Sequence, residues 1–158
     1  MSPAIDVVAQ SPLWSGEPDS EEVARRAALA ALAETGRTYS RGAEIAIVLA
    51  DDARLQELNN IWRGKDRPTN VLSFPGAEGA EIATTDILGD VVIAYETVAR
   101  EAQSEGKTFA AHFAHLVVHG TLHLFGFDHE DDGEAETMEN AERAALARLG
   151  IDDPYQED

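Results

Sequence analysis

The eleven residues HGTLHLFGFDH, 119–129, constrain the fold more than any other stretch of this 158-residue chain. Thr108 is a good helix cap, and FAAHFAHLVVHGTLHLFG after it reads as a helix. On a helix turning about 100° per residue, His119 and His123 stand about 40° apart, one turn from each other on one face. Gly126 can adopt a positive φ, which ends the helix and turns the chain back. His129 can then return toward the pair. The fold is expected to be built around a helix whose last turn gathers three imidazoles.

Two imidazoles at this spacing can point at one ion, and His129 supplies a third nitrogen. His119, His123 and His129 are therefore the candidate metal ligands. Three neutral nitrogens leave a fourth position for water, the arrangement of a catalytic zinc site and not of a closed structural one. Zinc lowers the pKa of such a water toward about 7. Zinc is the first choice of ion, although nickel, copper and iron also accept imidazole. A single histidine on an apolar helix is ordinarily a core residue, and a pair four apart is a weak signal; the glycine turn and third histidine strengthen it. Zinc proteases share the H-x-x-x-H spacing but carry glutamate after the first histidine, where this chain has Gly120. His115 falls near His119 around the helix, as a fourth ligand, a cleft residue or a hydrogen-bonding neighbour of the ligands. His112 lies about two turns away, too far to share the ion. Asp128 either orients a ligating imidazole or caps its own turn.

The rest of the chain reads as an α/β (α+β) fold: one domain over residues 1–158, with a small mixed sheet packed by helices. Strands are expected at 4–10, 43–50, VLSF (71–74) and DILGDVVIAY (86–95). Helices are expected after Ser20 as N-cap, with Gly36 as stop, after Asp51 or Asp52 through Trp62, over ETVAREAQSEG, over the histidine segment, and from about Gly133 to Leu149. The last has Met138, Ala141, Ala145 and Leu149 on one face. Residues 76–85, rich in Gly, Ala and Thr, read as a mobile connection. There is no cysteine, no apolar run of membrane-spanning length and no basic leader followed by an apolar core. A cytoplasmic location without membrane contact is the expectation. The net charge of −18 argues against a sequence-blind nucleic-acid binder. Yet Arg54, Arg63, Lys65 and Arg67 form a local basic strip opposed only by Glu57 and Asp66.

Three blocks carry a resemblance. HGTLHLFGFDH is similar to the HGxLHLxGYDH signature of the YbeY family of bacterial endoribonucleases, with Phe127 for tyrosine. LNNIWRGKDRPTNVLSFP, 58–75, resembles that family's LNxxYRxKDxPT(D/N)VLSFP block, with Trp62 where tyrosine is frequent. ILGDVVIA, 87–94, resembles its LGDI/LVI strand. The similarity runs from about residue 44 to 150. It implies a single-domain, zinc-type metalloprotein that cleaves single-stranded RNA, matures the 3′ end of 16S rRNA and takes part in ribosome quality control. Its partners would be rRNA and the ribosomal subunit or its proteins, with no DNA partner. It carries the ligand role to His119, His123 and His129, and functional importance to Arg63.

Arg63 and His119 are accordingly the candidate catalytic residues. Arg63 would hold phosphate in a two-point fork, with Lys65 and Arg67 on the flanking backbone. The alternative for Arg63 is an ion pair with Glu57 or Asp66. Asn70 lines the cleft or fixes its loop, and Ser73, without a base partner, is not expected to be a nucleophile. RNA brings its own 2′-hydroxyl, which makes the glutamate missing at position 120 less necessary than in peptide hydrolysis. Two other readings fit the same residues: a ribosome-assembly factor with a structural metal, and a metal-dependent hydrolase of another substrate.

Overall fold

In EIAIVLA, residues 44–50, Ile45, Ile47 and Leu49 alternate onto one face and are buried there. The computed structural model, which describes residues 3–155, places this segment in a four-stranded sheet. Its strands are β1 (Ala4–Ala9), β2 (Glu44–Ala50), β3 (Val71–Pro75) and β4 (Ile87–Ala94). The spatial order is β1-β2-β4-β3. β1, β2 and β4 run parallel, while β3 pairs antiparallel with β4, so the sheet is mixed.

Five helices connect and cover the strands: α1 (Ser20–Glu34), α2 (Asp52–Arg63), α3 (Tyr95–Glu105), α4 (Phe109–Leu124) and α5 (Asp132–Arg148). α1, α4 and α5 share one core with Ile45, Ile47, Val91 and Ile93. α2 closes a smaller cluster on the other face, with Leu55, Leu72, Val92 and Ala94. α4 is the central helix. It touches α1, α3, α5, β3 and β4, which explains why its sequence is apolar nearly all round. Phe113, Leu122 and Leu124 are each buried there, contributing about 1.5–3 kcal/mol apiece.

Gly120 is where α4 meets the sheet. A Cβ at this position would lie 2.6 Å from Val91 Cγ1 and 3.1 Å from Ser73 Oγ. Only hydrogen in place of a side chain lets helix and strand approach so closely.

Two readings of the sequence change. Ser20 is not the N-cap of α1 but its first residue: Val23 N–H donates to the carbonyl of Asp19, which takes the cap position. Within residues 76–85 the chain forms a 3₁₀ turn, Gly79–Ala83, anchored by buried Ile82. The expected caps Asp51 and Thr108 do bond the backbone N–H of Arg54 and Ala111. No helix among the described residues is long and apolar enough to cross a membrane.

Candidate metal centre

α4 carries His119 and His123 on its last two turns, and their Nε2 atoms lie 3.1 Å apart. Gly126 follows at φ +90°, a value disfavoured for side-chain-bearing residues, and reverses the chain. His129 comes back on that turn, held by its own backbone N–H donating to Asp128 Oδ1 at 2.8 Å. One nitrogen from each ring then lies within 4.8 Å of the others. Burial, followed by the neighbouring His119, holds the His123 imidazole down at about 4, so it is neutral at pH 7 with a lone pair to give. Three convergent imidazoles of this kind could hold a metal ion, and the donor set suits zinc.

His119 is oriented from a distant part of the chain. Its Nδ1 lies 3.2 Å from Glu142 Oε1 on α5, and Glu142 is only 1% exposed. Burial raises the Glu142 carboxyl, but the hydrogen bonds from His115 and His119 outweigh it and hold it at about 2. An ionised carboxylate only accepts, so Nδ1 carries the proton and the Nε2 lone pair of His119 faces the cluster. Glu142 Oε2 accepts from His115 Nε2 and, at 2.8 Å, from the Tyr155 hydroxyl. Tyr155 arrives on a strap after α5, fastened by Arg143 to Asp153 at 3.0 Å and packed beneath the Arg143 guanidinium. His115 is thus turned toward Glu142 and is not part of the convergent group.

The imidazoles open into a cavity of about 800 Å³. Arg63, the last residue of α2, lines it together with Asn70 and Ser73 from the β3 side. The two acids nearest Arg63 in its sequence block are occupied elsewhere: Glu57 pairs with Arg54, and Asp66 accepts from Gln56 Nε2 at 2.9 Å. Lys65 and Arg67 are exposed on the loop after α2 and stand outside the cavity wall. Asn70 Nδ2 donates to Glu101 Oε1 at 3.0 Å, and the same carboxylate meets buried His112 at 2.9 Å. Ser73 donates its hydroxyl proton to the Gly120 carbonyl at 2.8 Å and so braces α4. Asp128 acts within its own turn and also lines the cavity.

Residues 15–150 match the model of a protein family described as endoribonuclease YbeY. The chain belongs to the YbeY family. An endoribonuclease YbeY of Azorhizobium caulinodans is 61% identical over 151 residues, covering 96% of this chain and 95% of that protein. One of Methylocella silvestris is 51% identical over 157 residues, covering 99% and 88%. The solution structure of a Thermotoga maritima protein shares the fold, with TM-score 0.56, 23% identity and coverage of 97% and 99%.

Arg37, Glu142 and Tyr155, in this YbeY-family cavity and its support, escape the sequence reading. Arg37 lines the cavity from the segment after α1, and nothing in its neighbours GRTY marks it. Glu142 did leave a signal. It falls on the same stripe of α5 as Met138, Ala141 and Ala145, and a carboxylate on a buried stripe requires partners.

Proposed function

We propose that this chain is a zinc-dependent endoribonuclease acting on single-stranded RNA, with residues 1–158 working as one catalytic domain. Its substrate is rRNA, with the 3′ end of 16S rRNA as the maturation site, cut in the cytoplasm at the ribosomal subunit or its proteins. The observation that carries this reading is Arg63, without an acidic partner among the described residues, in the same cavity as three convergent imidazoles. Family membership supports it, since the relatives named above are endoribonucleases.

His119, His123 and His129 would hold the ion, which when bound supplies Lewis acidity beside the phosphate. Glu142 keeps the His119 lone pair aimed into the cluster. Arg63 forks onto the nonbridging phosphate oxygens and stabilises charge that grows on them in the transition state. Arg37 adds a second cation to the cavity. Position 120 supplies no base, because it is sealed against Val91 and Ser73. The 2′-hydroxyl of RNA attacks the adjacent phosphorus; as the new bond to its oxygen forms, the bond to the 5′-oxygen breaks, solvent takes the 2′ proton and returns one to the departing 5′-oxygen, and a cyclic 2′,3′-phosphate is left, so a deoxynucleotide placed at the cleaved position should block the reaction.

Metal analysis joined to cleavage of an rRNA precursor tests the proposal. The Arg63→Ala variant should keep its zinc and lose about 10²–10³ in rate, as when one transition-state donor is removed. His119→Ala should stay folded and lose both zinc and cleavage. If zinc-loaded wild type leaves single-stranded RNA as intact as the chelated protein does, the proposal is wrong. Persistence of RNA binding in folded, inactive His119→Ala would separate catalysis from a purely assembling role.

A further inference from the structure

The two tryptophans of the chain have opposite surroundings. Trp14 is 3% exposed, packs against Tyr95, Phe109 and Phe113, and donates Nε1 to the Ala50 carbonyl at 2.8 Å. Trp62 is 68% exposed on the last turn of α2, beside exposed Ile61. Its aromatic neighbour is Phe74, edge-on at 5.9 Å. An indole left in water, with a second exposed apolar residue beside it, is free to take a ligand on its face.

What covers it is argued from its position and its walls. Trp62 lines a second cavity, of about 560 Å³, floored by Val48, Phe74 and Val92 on the sheet face that α2 only partly covers. Pro75 belongs to the walls of this cavity and of the metal cavity, so the two adjoin. Trp62 also directly precedes Arg63, which lines the other one. The charged groups in the Trp62 cavity are Arg54, already paired with Glu57, and Asp90. A phosphate would find no unpaired cation there and would meet a carboxylate. A flat uncharged ring would find an indole face and an apolar floor. The cations suited to a phosphate backbone come next in the chain: Arg63, Lys65 and Arg67 have no ion pair among the described residues.

We propose that Trp62 is a stacking platform for the unpaired nucleobase next to the cleaved phosphate, with the RNA backbone passing over Arg63. The inference rests on the RNA-cleaving reading of the adjoining cavity. It supplies a physical reason for single-strand selectivity, because a base held in a duplex cannot leave its stack to lie on the indole.

The test is a fluorescence titration of the zinc-loaded full chain with a single-stranded 2′-O-methyl oligoribonucleotide, which lacks the attacking hydroxyl. Saturation should quench the emission of exposed Trp62, and the same sequence as a duplex should not. Trp62→Ala should weaken binding by about 5- to 150-fold, the range for loss of one base–aromatic stack. Trp62→Phe should restore most of it, and both variants should keep wild-type zinc affinity and melting temperature. Emission unmoved at saturation, or Trp62→Ala binding within about twofold of wild type, overturns the platform. A quenched but uncleaved substrate, tested in parallel as ordinary RNA, would support the platform while sinking the nuclease reading. Cleavage with unmoved emission would do the reverse.

Discussion

Replacing Glu142 by glutamine changes one atom's chemistry at a buried junction, and the structure says where the change is felt. The carboxylate accepts three hydrogen bonds: one on Oε1 from His119 and two on Oε2 from His115 and Tyr155. A glutamine has one accepting oxygen, and its best use is against the two donors at the Oε2 position. Its NH₂ then faces His119 Nδ1, which must become an acceptor. The ring proton moves to Nε2, the atom that stands 3.1 Å from His123 Nε2 and should face the ion. The cost to folding is one reversed charge-assisted bond, about 1–3 kcal/mol. The cost to the site is larger in proportion. Loss of an orienting partner weakens metal binding by about 10- to 100-fold, or about 1.4–2.7 kcal/mol. Glu142→Ala would be a poorer probe, since stranding buried donors costs about 3–5 kcal/mol and threatens the fold itself. The assay is zinc competition against a chromophoric chelator, with the melting of the zinc-free variant as a control for folding. A Glu142→Gln protein that binds zinc within about twofold of wild type would refute the tautomer argument.

Further outcomes are expected elsewhere. Gly120→Ala should lose about 1–3 kcal/mol in denaturant unfolding, because its Cβ would sit 2.6 Å from Val91 Cγ1. Gly120→Glu, which completes an H-E-x-x-H pattern, should be poorly folded and should not cleave peptides; a stable variant would show that α4 can lift from the sheet. Asp52 ties α2 to α3 through the backbone and side chain of Thr97 and through Arg100. Burial raises its carboxyl, but these bonds together hold it below its ordinary value. A depressed carboxylate contributes stability that is fully present above the unfolded value of about 3.9 and is lost as pH falls through the lower folded value. Asp52→Asn should therefore cost about 1–2 kcal/mol at pH 7 and progressively less in acid, measured by urea unfolding across that window. Chelation should leave the fold intact but lower the melting temperature relative to protein with zinc at about 100 times Kd. The linkage of about 2.7 kcal/mol corresponds to about 5–11 °C for a chain of this size.

The legibility of each part follows from the range of the forces that place it. His119, His123 and His129 sit on one helix turn and one glycine reversal, so local geometry alone brings them together. Strand and helix positions could be read for the same reason, from alternation in EIAIVLA and from caps such as Asp51 and Thr108. Ser20 failed as a cap because Asp19 beside it is an equally suited residue, and local preference does not choose between the two positions. The insertion of β4 between β2 and β3 is also invisible locally, since strands that pair here are far apart in the chain. Arg63 could be singled out from its sequence block, but only the fold shows Glu57 and Asp66 engaged elsewhere and Arg37 sharing its cavity. Glu142 and Tyr155 come from later segments: Glu142 meets His119 only when α5 docks, and Tyr155 bonds Glu142 from the strap beyond it.

The strap that fastens Tyr155 onto Glu142 has a consequence for the order in which the molecule is made. Synthesis delivers the three imidazoles first, and the groups that hold His119 in register only later. A nascent chain that has just passed His129 carries the three imidazoles without the Glu142 carboxylate that fixes the tautomer of His119. On the reading proposed above, the centre matures only after α5 and its strap have emerged and folded back.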